Sequence, residues 1–263
     1  MSDSNVIVEQ LAFPSPNPHV KLSLITYLSR GLKVKGMLAE PIEDGKYDGF
    51  LYLRGGIKGV GMVRPARIAQ FASEGFVVFA PFYRGNWGGE GNEDFAGTDR
   101  HDAFAGFKIL KSLSSVNPER IHIFGFSRGG VMALLTGIEY PEAASVVTWG
   151  GVSDVALTYE EREDLRRMMK RVIGGSPNTA TEQYDARNPL TDLGKLDAPI
   201  LIIHGEQDHN VSIEHAKKLE GKLSELGRKF DTWYFHDFTH YFPPATNRKV
   251  VKDLCQWMKK QKR

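Results

Sequence analysis

The chain of 263 residues has a single cysteine, Cys255, so no disulfide can form within it, and a reducing, cytoplasmic setting is expected. No stretch free of Asp, Glu, Lys and Arg reaches the ~18 residues of a membrane-spanning segment, so no membrane span is expected. The opening Met1-Ser2-Asp3-Ser4 lacks a basic segment followed by an apolar run, which argues against a secretory signal. The net charge is only +2, too little to argue for nucleic acid. Basic residues gather at Arg162, Arg166, Arg167, Lys170 and Arg171 and in the tail Lys259-Lys260-Gln261-Lys262-Arg263. The first group alternates with Glu160, Glu161, Glu163 and Asp164, the pattern of a solvated, salt-bridged helix face. With 27 glycines and 13 prolines the chain stays far below the ~25–30% that marks low complexity. Neither a repeat nor a linker interrupts it. Hydrophobic residues at 41% are enough for a sizeable core, and residues 1–263 are expected to form one domain.

Eight strands are expected. Leu22–Ser29 and Leu32–Glu40 flank Arg30-Gly31 and suit an antiparallel pair. Phe50–Leu53, Phe76–Phe82, Ile121–Phe126, Ala144–Trp149 and Pro199–His204 are short apolar runs, as strands buried on both faces require. Phe230–His236 is the eighth. Helices are expected over Val63–Glu74, Ala96–Ser112, Arg128–Glu139, Tyr159–Ile173, Ser212–Leu226 (with Ser212 as its cap) and Thr246–Lys260. Strands alternating with helices predict a mostly parallel α/β sheet with helices on both faces. The excursion from Gly151 to Ala198 is longer than a crossover needs, so residues 151–198 are expected to form a small helical cap.

The most informative segment is Ile121-His122-Ile123-Phe124-Gly125-Phe126-Ser127-Arg128-Gly129-Gly130, an apolar strand followed by G-x-S-x-G and an apolar helix. A serine that projects its Oγ above a sheet sits on a sharp, strained turn. Side chains two positions to either side would collide across that turn, so Gly125 and Gly129 fit. The turn also places the Arg128 N–H at a helix N-terminus, where it can donate to a developing oxyanion. The alternative is a glycine-rich strand–helix turn with a capping serine.

A serine hydroxyl needs a base, and the base needs an orienting acid. Asp208 follows the seventh expected strand and His240 the eighth, both at carboxyl ends, where ligands bind in open α/β sheets. Ser127, Asp208 and His240 thus occur in the chain order that a nucleophile elbow requires. Glu206 and Asp154 are alternative acids, and His236 is better placed as a strand residue than as the base. His101, His122, His204 and His215 suit structural roles. Neither paired cysteines nor a helical H-E-x-x-H accompanies the histidines, so neither a metal nor another cofactor is expected.

These segments together resemble the catalytic domain of the prolyl oligopeptidase family within the α/β-hydrolase fold, from about Val20 to the C-terminus. Besides Gly125-Phe126-Ser127-Arg128-Gly129-Gly130, the likeness rests on Tyr83-Arg84-Gly85-Asn86-Trp87-Gly88-Gly89-Glu90-Gly91, on Asn117-Pro118-Glu119-Arg120-Ile121 and on His204-Gly205-Glu206-Gln207-Asp208. The resemblance implies Ser127 as nucleophile, His240 as base and Asp208 as orienting acid. It also implies a second oxyanion donor in the loop Tyr52-Leu53-Arg54-Gly55-Gly56-Ile57-Lys58-Gly59, for which the Gly56 N–H is the candidate. Two departures stand out. Arg54 occupies a position where many members carry Tyr or His, and it either holds a substrate carboxylate or pairs with a nearby acid. Only about 20 residues precede the first expected strand, too few for the family's size-filtering propeller, so an open site for small esters, amides or short peptides is expected. Trp87 and Trp149 follow strand ends and are candidate pocket walls. Arg84 and Asp102 are a candidate structural pair.

The expected function is hydrolysis through an acyl-enzyme on a small-molecule ester, amide or short peptide. An acyltransferase would use the same residues with a different acceptor. A non-catalytic binding protein on this fold usually lacks a triad member, and none is missing here.

Overall fold

The computed structural model describes residues 6–261; the opening Met1-Ser2-Asp3-Ser4 and the last two residues of the basic tail, Lys262 and Arg263, lie outside the described residues. Nine strands form one sheet: β1 (Ile7–Phe13), β2 (Val20–Ser29), β3 (Leu32–Pro41), β4 (Tyr47–Leu53), β5 (Phe76–Pro81), β6 (Val116–Phe126), β7 (Ser145–Trp149), β8 (Ile200–Gly205) and β9 (Phe230–Phe235). Their spatial order is β1-β2-β3-β5-β4-β6-β7-β8-β9. The strands from β1 to β3 pair antiparallel, β3 meets β5 antiparallel, and every later pairing is parallel. The α/β-hydrolase expectation holds, but with nine strands rather than eight. The additional β1 is an edge strand whose middle five residues are exposed, so Ile7–Phe13 carries no apolar alternation to betray it.

The helices are α1 (Pro65–Ala72), α2 (Arg100–Ser112), α3 (Gly129–Glu139), α4 (Val155–Glu161), α5 (Glu163–Ile173), α6 (Thr181–Asp185), α7 (Pro189–Asp192), α8 (Ile213–Glu225) and α9 (Pro244–Lys260). They cover both faces. Alternate residues of β4 divide between the two cores: Phe50 and Tyr52 face α1 and α9, while Leu51 and Leu53 face α2 and α3. On the first face Phe50 packs against Phe71 of α1 at 4.5 Å and Phe124 of β6 at 5.6 Å between ring centres. Strands β5, β7 and β8 are buried at every position, which is why they read as unbroken apolar runs. Among the described residues no helix is long and apolar enough to cross a membrane.

Three helix boundaries differ from expectation for local reasons. The helix expected from Ala96 begins at Arg100, because Phe95 and Ala96 take left-handed φ of 60° and 67° and Asp94 accepts the Thr98 and Asp99 amides in a separate turn. Tyr159–Ile173 is two helices, broken at Arg162 (φ −110°, ψ 81°), whose guanidinium grips Asp164 in the first turn of α5. Ser212 precedes α8 but does not cap it; its hydroxyl donates instead to Glu161. Residues 151–198 carry α4 to α7, with Met169, Ile173 and Tyr184 buried in one of the two cores.

At the amino end of the sheet, Arg120 of β6 donates two hydrogen bonds of 2.7 Å to the Asp48 carboxylate of β4 and also holds the Lys259 and Gln261 carbonyls past α9. Burial pushes the Asp48 carboxyl up, but Arg120 and the His122 ring 3.5 Å away outweigh it and hold it at about 2. A carboxyl held below its unfolded value of ~3.9 stabilises the fold above that pH, and the contribution fades as pH falls toward the folded value. Asp48→Asn is therefore expected to lower the urea midpoint at pH 7, with the gap from wild type narrowing as pH drops below about 4. A gap that stays constant with pH would remove the carboxylate charge as its cause.

Candidate active site

Each candidate residue stands at the carboxyl edge of the parallel strands. Ser127 follows β6 with φ of +56°, a conformation that L-residues avoid unless the surroundings impose it. The surroundings are visible. A Cβ at Gly125 would lie 2.0 Å from the Gly129 carbonyl oxygen, and one at Gly129 would lie 2.0 Å from that of Leu53. The Ser127 amide donates to the Trp149 carbonyl of β7, and its own carbonyl accepts from Gly130 and Val152. The turn is thus pinned from both sides while the side chain stays on the cavity.

Asp208 and His240 meet directly, with Nδ1 to Oδ2 at 2.6 Å in a buried contact. The other carboxylate oxygen of Asp208 accepts from the Asn210 and Val211 amides at 2.8 and 3.0 Å. Burial pushes the Asp208 carboxyl up, but the His240 bond and these amides outweigh it and hold it below the usual carboxylate range. An ionised Asp208 accepts the Nδ1 proton, which leaves Nε2 as the free base. The imidazole packs against Phe126, tilted by 41°, with ring centres 4.8 Å apart. Gly150 (φ +50°) passes so close that a Cβ there would lie 3.2 Å from both Asp208 Oδ2 and His240 Nδ1. The other candidate acids are committed elsewhere. Asp154 caps α4 and binds Lys218 at 2.6 Å, while Glu206 pairs with the exposed His236 at 2.9 Å.

Ser127, Arg128, Gly56 and His240 line one cavity of ≈ 830 Å³. The loop after β4 presses on Ser127: a Cβ at Gly55 would lie 2.6 Å from the Ser127 Cβ. Gly56 is left-handed (φ +65°), and a Cβ there would strike the Val60 carbonyl at 2.3 Å. Among the described residues neither the Gly56 nor the Arg128 amide donates to a backbone carbonyl. Thr158, Arg162, Leu165 and Met168 of the 151–198 segment form part of the wall.

Of the three candidate substrate contacts only Trp149 lies on the cavity. Arg54 does not: it is buried, donating to Glu93 at 2.6 Å, Phe82 O at 2.9 Å and Gly55 O at 2.9 Å, so the pairing alternative describes it. Trp87 is also a correction. Its left-handed φ of +53° turns the ring onto Phe82 at 5.1 Å, half exposed and away from the cavity. Arg84 and Asp102 form a buried pair, with Nη2 to Oδ1 at 2.8 Å.

The sequence did not signal Glu93. This buried carboxylate accepts from Arg54 at 2.6 Å, from Arg128 at 2.9 Å and from the Lys58 amide. It therefore ties the loop bearing Gly56 to the turn bearing Ser127. Arg128 also binds Asp99 at 3.0 Å, and both arginines lie over the Tyr83 ring, at 5.1 Å for Arg54 and 4.8 Å for Arg128. Burial pushes the Asp99 carboxyl up to about 7 against the pull of Arg128. Among the described residues no three His, Cys, Asp or Glu side chains gather as a metal-binding group. Removing this shared buried carboxylate leaves Arg54 without an acid and Arg128 with Asp99 alone, so Glu93→Ala is expected to cost about 3–5 kcal/mol of unfolding free energy. Urea unfolding checks this, and a loss under about 1 kcal/mol would show that the arginines find compensation elsewhere.

The chain is 65% identical over 97% of its length to the uncharacterized peptidase YtmA of Bacillus subtilis (strain 168), of which it spans 99%. It is 24% identical over 82% of its length to dipeptidyl-peptidase 5 of Porphyromonas endodontalis, but spans only 34% of that protein. Its fold superposes on Pyrococcus horikoshii acylaminoacyl peptidase with a TM-score of 0.80 at 21% identity, covering 94% of this chain and 42% of that one. Acetyl xylan esterase 1 from Thermoanaerobacterium superposes with a TM-score of 0.71 at 14% identity, covering 96% and 88%. Residues 62–263 match the model of the prolyl oligopeptidase family, and the chain belongs to that family as a serine hydrolase of the peptidase type.

Proposed function

We propose that the protein cleaves short peptides, and small amides or esters, through an acyl-enzyme formed on Ser127. The observation that carries this reading is the buried 2.6 Å Asp208–His240 pair on the same cavity as a serine held at positive φ. Ser127 Oγ attacks the carbonyl carbon as its proton passes to His240 Nε2. Asp208 holds the imidazolium through Nδ1, and the new C–O⁻ faces the Arg128 and Gly56 amides. Collapse breaks the scissile bond, and the leaving amine or alcohol takes the proton from Nε2. Water then gives a proton to Nε2 and its oxygen to the acyl carbon, releasing the acid and restoring Ser127. The relatives named as peptidases favour a peptide bond. The cavity volume suits a short segment rather than a single small acyl group.

A fluorophosphonate probe is expected to add once to the wild type and not to Ser127→Ala, read by intact mass, with both proteins melting at similar temperatures. Absence of an adduct on folded wild type would overturn the assignment and bring forward a binding protein on this fold. Asp208→Asn should lower turnover by on the order of 10³–10⁴-fold at neutral pH, because the imidazole then prefers the wrong tautomer. Full activity in that variant would move the acid to Asp154 or Glu206.

A further inference from the structure

The cavity wall is electrostatically one-sided. Arg64, Arg67, Arg128 and Arg162 line it, and no Asp or Glu does. Two of these charges are answered: Arg128 by Glu93 and Asp99, and Arg162 by Asp164 at 2.7 Å. Arg67, on α1, is not. Its Nη1 donates to the Gln70 Oε1 at 3.0 Å and the Asn247 Oδ1 at 2.8 Å, both neutral amides. Among the described residues its Nε and Nη2 donate to no protein acceptor, and neither Arg64 nor Arg67 has a carboxylate within ion-pair distance. A free Nε–Nη2 edge is the geometry that takes a carboxylate with two parallel hydrogen bonds.

Its place gives that edge a use. The Arg67 guanidinium lies 4.8 Å over Phe71 and 5.6 Å over Trp149, so its stem and plane are held by aromatic rings. Trp149 is the residue whose carbonyl anchors the Ser127 amide. One aromatic residue therefore separates the open cation from the nucleophile's backbone. Among the described residues the same wall offers no carboxylate to a substrate ammonium.

We propose that Arg67, with Arg64 beside it, selects substrates that carry a carboxylate near the scissile bond. This rests on Ser127 being the nucleophile. The carboxylate can belong to an acidic side chain or to the free C-terminus of a short peptide. Both present the same planar anion to the same fork.

The test uses N-acetylated tetrapeptides in three matched forms: Gln with an amidated C-terminus, Glu with an amidated C-terminus, and Gln with a free C-terminal acid. Cleavage is followed by mass spectrometry, with Ser127 labelling by the fluorophosphonate probe alongside. At least one anionic form is expected to exceed the neutral form in kcat/KM by about 10-fold or more, the size of a charge-assisted contact. Which form does so identifies the source of the carboxylate. In Arg67→Gln that advantage should fall about 10-fold, mainly through KM, while Arg67→Lys keeps part of it. Probe labelling at the wild-type rate shows that the variant's serine site is intact. An anionic form cleaved no faster than the neutral one, or an advantage that survives Arg67→Gln, overturns the proposal. Labelling and cleavage of the neutral peptide with no anionic advantage sinks this inference alone. Loss of both in the wild type sinks the acyl-enzyme reading with it.

Discussion

One carboxylate, Glu93, holds the catalytic edge together. Two loops must meet above the sheet, the one after β4 that supplies Gly56 and the one after β6 that supplies Ser127. Each carries a buried arginine beside its working residues, Arg54 and Arg128, and Glu93 binds both. Desolvating an ion costs several kcal/mol; Glu93 offsets that cost for Arg54, and Glu93 with Asp99 offsets it for Arg128. The third loop, after β5, brings Glu93, Asp99 and the Tyr83 ring on which both guanidiniums lie. The three loops therefore fit as a set. The strained φ of Ser127 is maintained by this cluster from below and by the Trp149 carbonyl from the side.

This explains which parts of the site were legible in the sequence. Ser127, Asp208 and His240 announce themselves because their loops follow apolar strands in a fixed chain order, and Gly125 and Gly129 are steric necessities of one turn. Glu93 follows no period and no motif, and its meaning appears only when Arg54 and Arg128 converge on it. The sequence leaves Arg54 between two roles and places Trp87 on the wrong surface for the same reason. Both follow strands that point at the site, but the direction of a side chain depends on its own backbone angles and on competing partners. For Trp87 a left-handed φ decides it, and for Arg54 the Glu93 carboxylate does.

The fold shows the same division. Strands buried on both faces, such as β5, β7 and β8, are readable from composition alone. The edge strand β1 is not, because its side chains face water and its existence depends on the backbone of β2. The break at Arg162 was hidden because the residues on either side share one basic-acidic pattern. The break is held by the grip of Arg162 on Asp164 and by Arg166, which donates to the Tyr159 and Glu160 carbonyls at the end of α4.

The cavity has two unlike sides as a result. Toward the loops after β4, β5 and β6, the buried guanidiniums of Arg54 and Arg128 are answered by Glu93 and Asp99. Toward α1, Arg67 has only neutral amides and aromatic rings around it. A half-buried guanidinium without an anion is a poor structural element, since Met or Gln would pack as well without the desolvation cost. The proposed substrate carboxylate supplies the anion that the protein does not. The wall beside Ser127 then carries charge that protein acids neutralise, and the wall toward α1 carries the charge that the proposed substrate carboxylate would neutralise.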